Sequence, residues 1–361
     1  MELLFENKEK RESILSRIQI SSPIVIDEHK SYLFEGDNFD IMSGLLNYKK
    51  GFVDLIYIDP PFNTNQIFSV SQNRSNTISR EKNNTVAYQD LMSDDGFLKF
   101  MYERFVLMYE LLSDRGSIYV HIDTKMGHYI KIILDEIFGN KNFKNDISRI
   151  KSNPKNFSRK AYGNEKDMIL FYSKNSKKNI WNEVKIPLEQ DELEKIFSKT
   201  DSNGRRYTTI PLHAPGETSN GITGMPWRGI LPPSGRHWRT NPDEFEKMDK
   251  SGDIEWSKTG NPRIKKYADE HQGKKIQDIW KYKDPQMPIY PTQKNLEMLK
   301  LIILQSSKED SIVMDCFAGS GTTLLAAAQC DRNFIGIDSS KIAISKSMLR
   351  LNENKVLFET M

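Results

Sequence analysis

Cysteine is almost missing from this chain: Cys316 and Cys330 are the two in 361 residues. Two cysteines provide neither a zinc-ligand pattern nor a disulfide framework. Long apolar runs are missing as well, which excludes a membrane-spanning helix by hydropathy. The first ten residues, Met1 to Lys10, are too charged for a signal peptide. A reducing, cytoplasmic setting without membrane attachment is therefore expected. Charge of one sign is also lacking. Fifty-two Lys and Arg stand against 49 Asp and Glu, for a net charge of +3. That balance is compatible with a nucleic-acid partner but does not select one. With 37% hydrophobic and 28% charged residues the chain reads as globular, long enough for one large domain or two modest ones.

A third absence narrows the cofactor. The apolar run Ser311-Ile312-Val313-Met314 leads into Asp315-Cys316-Phe317-Ala318-Gly319-Ser320-Gly321-Thr322-Thr323. A helix-like stretch follows, then the short strand Phe334 to Ile337, then Asp338. Strand, glycine turn, helix, strand and acid is the order of a nucleotide-binding unit, and the acid is spaced to hold ribose hydroxyls. Yet no Gly-Lys-Ser/Thr follows the turn, and the third glycine of the dinucleotide fingerprint is missing. A nucleoside cofactor without phosphates fits better than NAD or ATP. Gly319 and Gly321 allow close backbone approach. The N-terminus of the following helix suits a carboxylate, which Thr322 could bond.

What is present most distinctively is Asp59-Pro60-Pro61-Phe62, after the buried-strand signal Val53 to Ile58. A carboxylate, two stiff prolines and an aromatic at a strand's C-terminal tip lie where open α/β sheets place their sites. An acceptor pair beside an aromatic face suits a planar ring that bears an amine.

Together the two motifs resemble the amino-methyltransferases of DNA, which carry a DPPY/F catalytic motif and an FxGxG cofactor motif. With the catalytic motif first, the order is that of the family's β group. Gly36-Asp37-Asn38 and Tyr290-Pro291-Thr292-Gln293-Lys294 look like further elements of that group. The segments Met101 to Arg104, Asp135 to Gly139, His237-Trp238-Arg239 and Gln277 to Trp280 are similar to modification subunits of type III restriction systems. The likeness runs from about residue 31 to about 352.

This resemblance implies a doubly wound, mostly parallel α/β sheet of Rossmann-like type with permuted motif order. It also implies S-adenosylmethionine as cofactor and double-stranded DNA as substrate. Asp59 and the Pro60 carbonyl would accept from the target amine, with Pro61 stiffening the turn and Phe62 stacking on a flipped base. Asp37 and Phe317 would border the adenosine, Thr292 and Lys294 would face the methionine moiety, and Asp315 and Asp338 complete the cofactor set. Cys316 and Asn295 stand where the family commonly has proline. Asp59 rather than Ser favours adenine-N6 over cytosine-N4, which stays open. A non-catalytic specificity subunit and a protein or RNA methyltransferase are the other readings. A restriction-modification setting implies a cognate endonuclease, and β-group habit implies a homodimer. Type III modification subunits are longer than this chain, so an obligate complex of that kind is not expected.

Along the chain, residues 1–30 read as a lead-in, 31–180 as the catalytic half and 286–361 as the cofactor half. Segment 63–90, rich in Asn, Ser, Thr and Gln, reads as a long mobile loop. Residues 181–285 break the strand–helix alternation and are assigned to target recognition. Arg228, Arg236, His237, Trp238 and Arg239 are its candidate DNA contacts. Lys141 to Lys178 carries 11 basic and 3 acidic residues and is expected to line the cleft with phosphate contacts.

Overall fold

The computed structural model describes residues 2–61, 93–152, 160–218, 220–285 and 293–361, with the backbone of short strands at 67–70, 75–76 and 85–89. The chain divides into two compact units, Met1–Val184 with Gln277–Met361, and Lys185–Ile276.

The first unit is built on a nine-stranded sheet. Its strands are β1 (Tyr32–Glu35), β2 (Val53–Ile58), β3 (Leu112–Ile122), β4 (Phe143–Ile150), β5 (Lys166–Ser173), β6 (Ile279–Trp280), β7 (Ile312–Asp315), β8 (Asn333–Asp338) and β9 (Glu359–Thr360). Their spatial order is β6-β4-β5-β3-β2-β7-β8-β1-β9. Only β5 runs against its neighbours; the other pairings are parallel. Helix α1 (Arg11–Ile18) precedes the sheet, and the connections between its strands carry α2 (Asn38–Tyr48), α3 (Asp94–Leu111), α4 (Gly127–Phe138), α5 (Leu296–Ser306), α6 (Thr322–Gln329) and α7 (Lys341–Glu353), the long crossovers that parallel strands need.

Both faces of the sheet are covered. Ile56, Ile58, Ile118, Ile335 and Ile337 share one core with residues of α1 to α4. Gly336, between two of those isoleucines, points the other way, and a Cβ there would meet Leu324 of α6 at 2.4 Å. Alternation along the strand thus puts α6 on the opposite face. The central strands are buried on both sides, which is why β2 reads as a continuous apolar run rather than an alternating one. The expected doubly wound, mostly parallel sheet is what the chain forms.

One local expectation changes. Within 63–90 the chain is not all loop: Ile67–Val70 pairs antiparallel with both Ser75–Asn76 and Thr85–Gln89. The rest of that segment lies outside the described residues. Helix α5 begins after Asn295, whose side chain accepts from Met298 N–H as an N-cap. Its amide also donates to Lys283 O at 2.9 Å. The residue that replaces the family's proline therefore anchors the turn by hydrogen bonds instead of by a ring.

The second unit is a small α+β fold. A four-stranded antiparallel sheet centres on Arg206–Pro211 and Pro262–Tyr267. An antiparallel pair joins His213–Pro215 with Arg236–Trp238, and helix Pro242–Lys250 packs Phe245 into a core with Leu212, Trp227, Trp238, Ile254 and Ile264. No helix among the described residues is long and apolar enough to cross a membrane.

Candidate functional site

The sheet brings together motifs that the sequence holds about 250 residues apart. β2 ends at Ile58, so Asp59 stands at its C-terminal tip. β7 lies beside β2 in parallel, with Val313 opposite Leu55 and Met314 opposite Ile56, and ends on Asp315. β8 follows, with Gly336 opposite Asp315, and ends on Asp338. Three carboxylates thus line the same edge of three adjacent strands, where ligands of such sheets bind.

Asp59 is largely buried, and its Oδ2 is ion-paired with Lys294 Nζ at 2.7 Å. Its Oδ1 is buried without a hydrogen-bond partner among the described residues. Burial raises the carboxyl to about 6, while the Lys294 charge and hydrogen bond hold it down and Asp167 and Asp284 push it up. A buried acceptor with no donor is costly unless a ligand completes it. The sequence reading gave Lys294 the methionine moiety and did not foresee its pair with the Asp59 carboxylate. Phe62 and Thr292 lie outside the described residues; Pro60 and Pro61 continue the strand tip.

The glycine turn is shaped by its neighbours. Gly321 is the N-cap of α6 in left-handed conformation, φ 71°, and a Cβ there would stand 2.8 Å from Ser347 Oγ. The Ser347 hydroxyl donates to Gly319 O at 2.9 Å. Gly319 N–H in turn donates to Asp338 Oδ2 at 2.8 Å, and Ser340 N–H donates to Asp338 Oδ1 at 2.8 Å. Thr322 Oγ1 accepts from Arg350, which leaves its O–H as a donor. Asp315 accepts from Phe317 N–H at 3.0 Å, and burial lifts its carboxyl to about 7 against hydrogen bonds from Thr323 and Phe317. Asp338 is raised too, again by burial.

Asp37 caps α2 by accepting from Phe39 N–H at 2.7 Å and is ion-paired with Arg104 at 3.1 Å. Arg104 also donates to the Asn38 side chain, whose amide donates to Cys316 O at 2.7 Å. The Arg104 guanidinium lies 3.4 Å over the Phe100 ring, and Phe100 is 6.1 Å from Phe317. Asp37 and Phe317 are thereby joined by one aromatic–guanidinium cluster, which sequence reasoning missed because Arg104 sits inside an ordinary helical pattern.

A family model described as DNA methylase matches residues 53–348. The chain belongs to this N6/N4 DNA methylase family. The type II methyltransferase M.EcaI of Enterobacter cloacae is 42% identical over 302 residues, covering 82% of this chain and 64% of that protein. The Mod subunit of the type III restriction-modification enzyme StyLTI of Salmonella typhimurium is 27% identical over 334 residues, covering 82% of this chain and 49% of the subunit. The chain spans about half to two thirds of these relatives' lengths. The crystal structure of the M1.HpyAVI–SAM complex aligns with 89% of this chain and 99% of its own, at a TM-score of 0.45 and 19% identity.

The basic residues picked from the sequence are placed unevenly. In the second unit, Arg236 meets His213 at 3.3 Å, His237 Nδ1 lies 2.8 Å from Gly216 O, and Arg239 donates to Pro211 O. Arg236 and Arg239 are exposed. Arg228 is paired with Glu246 and Asp249. Trp238 departs from the expectation of DNA contact. Its ring is 3% exposed within the small core, and its N–H donates to Met225 O at 2.8 Å. Part of the run 141–178 is engaged within the protein. Arg149 is fully buried and Lys151 is paired with Asp167. Lys144 and Lys174 donate to backbone carbonyls. These four cations neutralise and hydrogen-bond the protein itself, while Lys155 and Arg159 lie outside the described residues.

Proposed function

We propose that this methylase transfers a methyl group from S-adenosylmethionine to the N6 amine of an adenine flipped out of double-stranded DNA, in a restriction-modification system. The observation that carries this reading is the open Oδ1 of Asp59, buried at a strand tip beside the strand that leads into the glycine turn.

The cofactor fits the electrostatics. Asp315 and Asp338 take their hydrogen bonds from N–H and hydroxyl groups rather than from cations. Two underneutralised carboxylates would repel a phosphate-bearing cofactor and favour a positively charged one. When bound, S-adenosylmethionine supplies an activated methyl group on a sulfonium centre. Asp338 would hold the ribose hydroxyls, Asp37 and Phe317 would border the adenosine, and Thr322 with the Gly319–Gly321 turn would take the methionyl carboxylate.

The amine of adenine is a weak nucleophile because its lone pair is conjugated with the ring. Asp59 Oδ1 and the Pro60 carbonyl would accept its two hydrogens and draw the nitrogen towards tetrahedral geometry. Holding that nitrogen in line with the methyl lowers the entropic part of the barrier. Asp59 Oδ1 can then take the surplus proton, which its raised proton affinity favours. Phe62 would stack on the base. Arg236, His237 and Arg239 are the proposed DNA contacts of the second unit, with Arg228 freed only if its two carboxylate partners give way. A cognate endonuclease and a second copy of the chain are the proposed partners.

Cofactor affinity should rise as pH increases through about 7. Free Asp315 holds its proton up to that range because of burial and the nearby Asp59 charge. A bound cation stabilises its carboxylate, so binding expels a proton. Calorimetry in buffers of different ionisation heat should show this release near pH 7 and its loss in Asp315→Asn. A flat affinity from pH 6 to 8 would contradict it. The base itself is read by hydrolysing DNA from methylation-deficient cells that express the chain. N6-methyldeoxyadenosine is expected; N4-methylcytosine keeps the mechanism and overturns the base.

A further inference from the structure

Behind the catalytic tip lies a chain of buried polar groups that the proposed mechanism does not use. Tyr57, one residue inside the end of β2, places its hydroxyl 2.9 Å from His121 Nδ1 on β3. His121 Nε2 lies 3.2 Å from Asp167 Oδ2 on β5. Asp167 is also paired with Arg149 on β4 at 3.4 Å and with Lys151 at 2.7 Å. Arg149 reaches onward, donating to Tyr282 O at 2.8 Å and pairing with Asp284. The path crosses four neighbouring strands and ends on the segment that runs towards Lys294. Tyr57, His121, Arg149 and Asp167 are all essentially inaccessible to solvent.

The chemistry orients the path. A carboxylate accepts only, so Nε2 of His121 carries the proton and donates to Asp167. Nδ1 is then the acceptor, and the Tyr57 hydroxyl donates to it. Burial, with the Lys294 and Arg149 charges, depresses the imidazole to about 3, so it stays neutral. Tyr57 and Asp59 are two residues apart at the tip of β2, where side chains alternate and such a pair shares a face. Fixing the Tyr57 hydroxyl therefore fixes the strand register and twist just before the catalytic carboxylate.

We propose that His121 is a positioning residue for methyl transfer, holding the Asp59 strand tip through Tyr57 and, through Asp167 and Arg149, tying it to the segment that delivers Lys294. This rests on the proposed methyl transfer. Metal-free hydrogen-bonded support of this kind behaves like the outer partners of any preorganised site: its loss loosens geometry without removing a reacting group. Lys294, Asp167 and Asp284 act on Asp59, Asp59 acts in turn on Tyr57 and Asp315, and Arg149 and Lys151 act on Asp167.

The test uses the full chain and two near-isosteric variants, Tyr57→Phe and Asp167→Asn, with duplex DNA and labelled cofactor. Tyr57→Phe should lower kcat by about 10- to 100-fold, the range for slight misplacement of a reacting group, with KM for cofactor and DNA within about twofold of wild type. Asp167→Asn removes a negative charge and leaves two cations less neutralised. Both effects lower the proton affinity of Asp59, so the acid limb of the kcat–pH profile should move to lower pH. Folded variants with wild-type kcat and an unmoved limb would overturn the proposal, leaving the network as stability alone. Should the variants not fold, nitrogen NMR of wild-type His121 decides: a neutral ring protonated at Nε2 from pH 8 to 5 is expected, and a charged ring or the Nδ1–H tautomer overturns it. Wild-type protein that methylates no nucleic acid would instead count against the methyl-transfer reading, and the NMR result would still judge the network.

Discussion

Replacing Asp59 with Ala should lower kcat by about 1,000-fold, within the range for a positioned base or acceptor, while cofactor binding survives. The carboxylate makes the only described contact of its kind at the tip of β2, with one oxygen held by Lys294 and the other open. Alanine removes the acceptor for the amine and the group that would take its proton. Asp59→Asn should be nearly as damaging. Its amide turns a donor towards either Lys294 or the target amine, and both are donors themselves. Duplex binding should hold or tighten, because a negative charge leaves the site. Single-turnover kinetics with labelled cofactor, alongside binding isotherms, separate these effects. Unchanged methyl transfer by either variant would remove Asp59 from the mechanism.

Lys294→Met should slow methyl transfer in a form that identifies its role. Lys294 lowers the proton affinity of Asp59 by charge and by hydrogen bond. Without it the carboxyl moves up from about 6, so the acid limb of the kcat–pH profile should shift towards higher pH by about two units. At pH 7 the variant should be about tenfold or more slower, recovering much of the deficit near pH 9. Lys294→Arg keeps the charge and should restore part of the wild-type profile. A lysine that merely faced the methionine moiety would behave otherwise: KM for cofactor would rise and the limb would stay in place.

The sequence made some of this legible and hid the rest, for definite physical reasons. β2 and β7 were readable because a doubly covered parallel strand is a continuous apolar run, and the polar residue that ends each run marks the ligand edge. Gly321 was readable because its left-handed backbone and the Ser347 contact exclude a side chain. The Lys294–Asp59 pair was not readable: nothing local in either segment specifies a partner more than 230 residues away. His121 was hidden in Ser117-Ile118-Tyr119-Val120-His121-Ile122, where a lone histidine among apolar residues gives no sign of its contacts across β5. Trp238 was ambiguous because a Trp amid arginines looks the same whether its ring faces DNA or a small core; its burial and its hydrogen bond to Met225 O decide it. The engaged part of the basic run 141–178 was hidden for a related reason. Sequence counts charges, and only the fold shows that Arg149 and Lys151 are spent on Asp167.

The most direct test of the central claim is methyl transfer by the purified chain alone, from labelled S-adenosylmethionine to a mixed-sequence duplex, with the product digested to nucleosides. The account predicts label in N6-methyldeoxyadenosine for wild type and none above background for Asp59→Ala. Label in wild-type product that persists undiminished in Asp59→Ala would contradict it, as would a folded, cofactor-binding wild type that labels protein or RNA but not DNA.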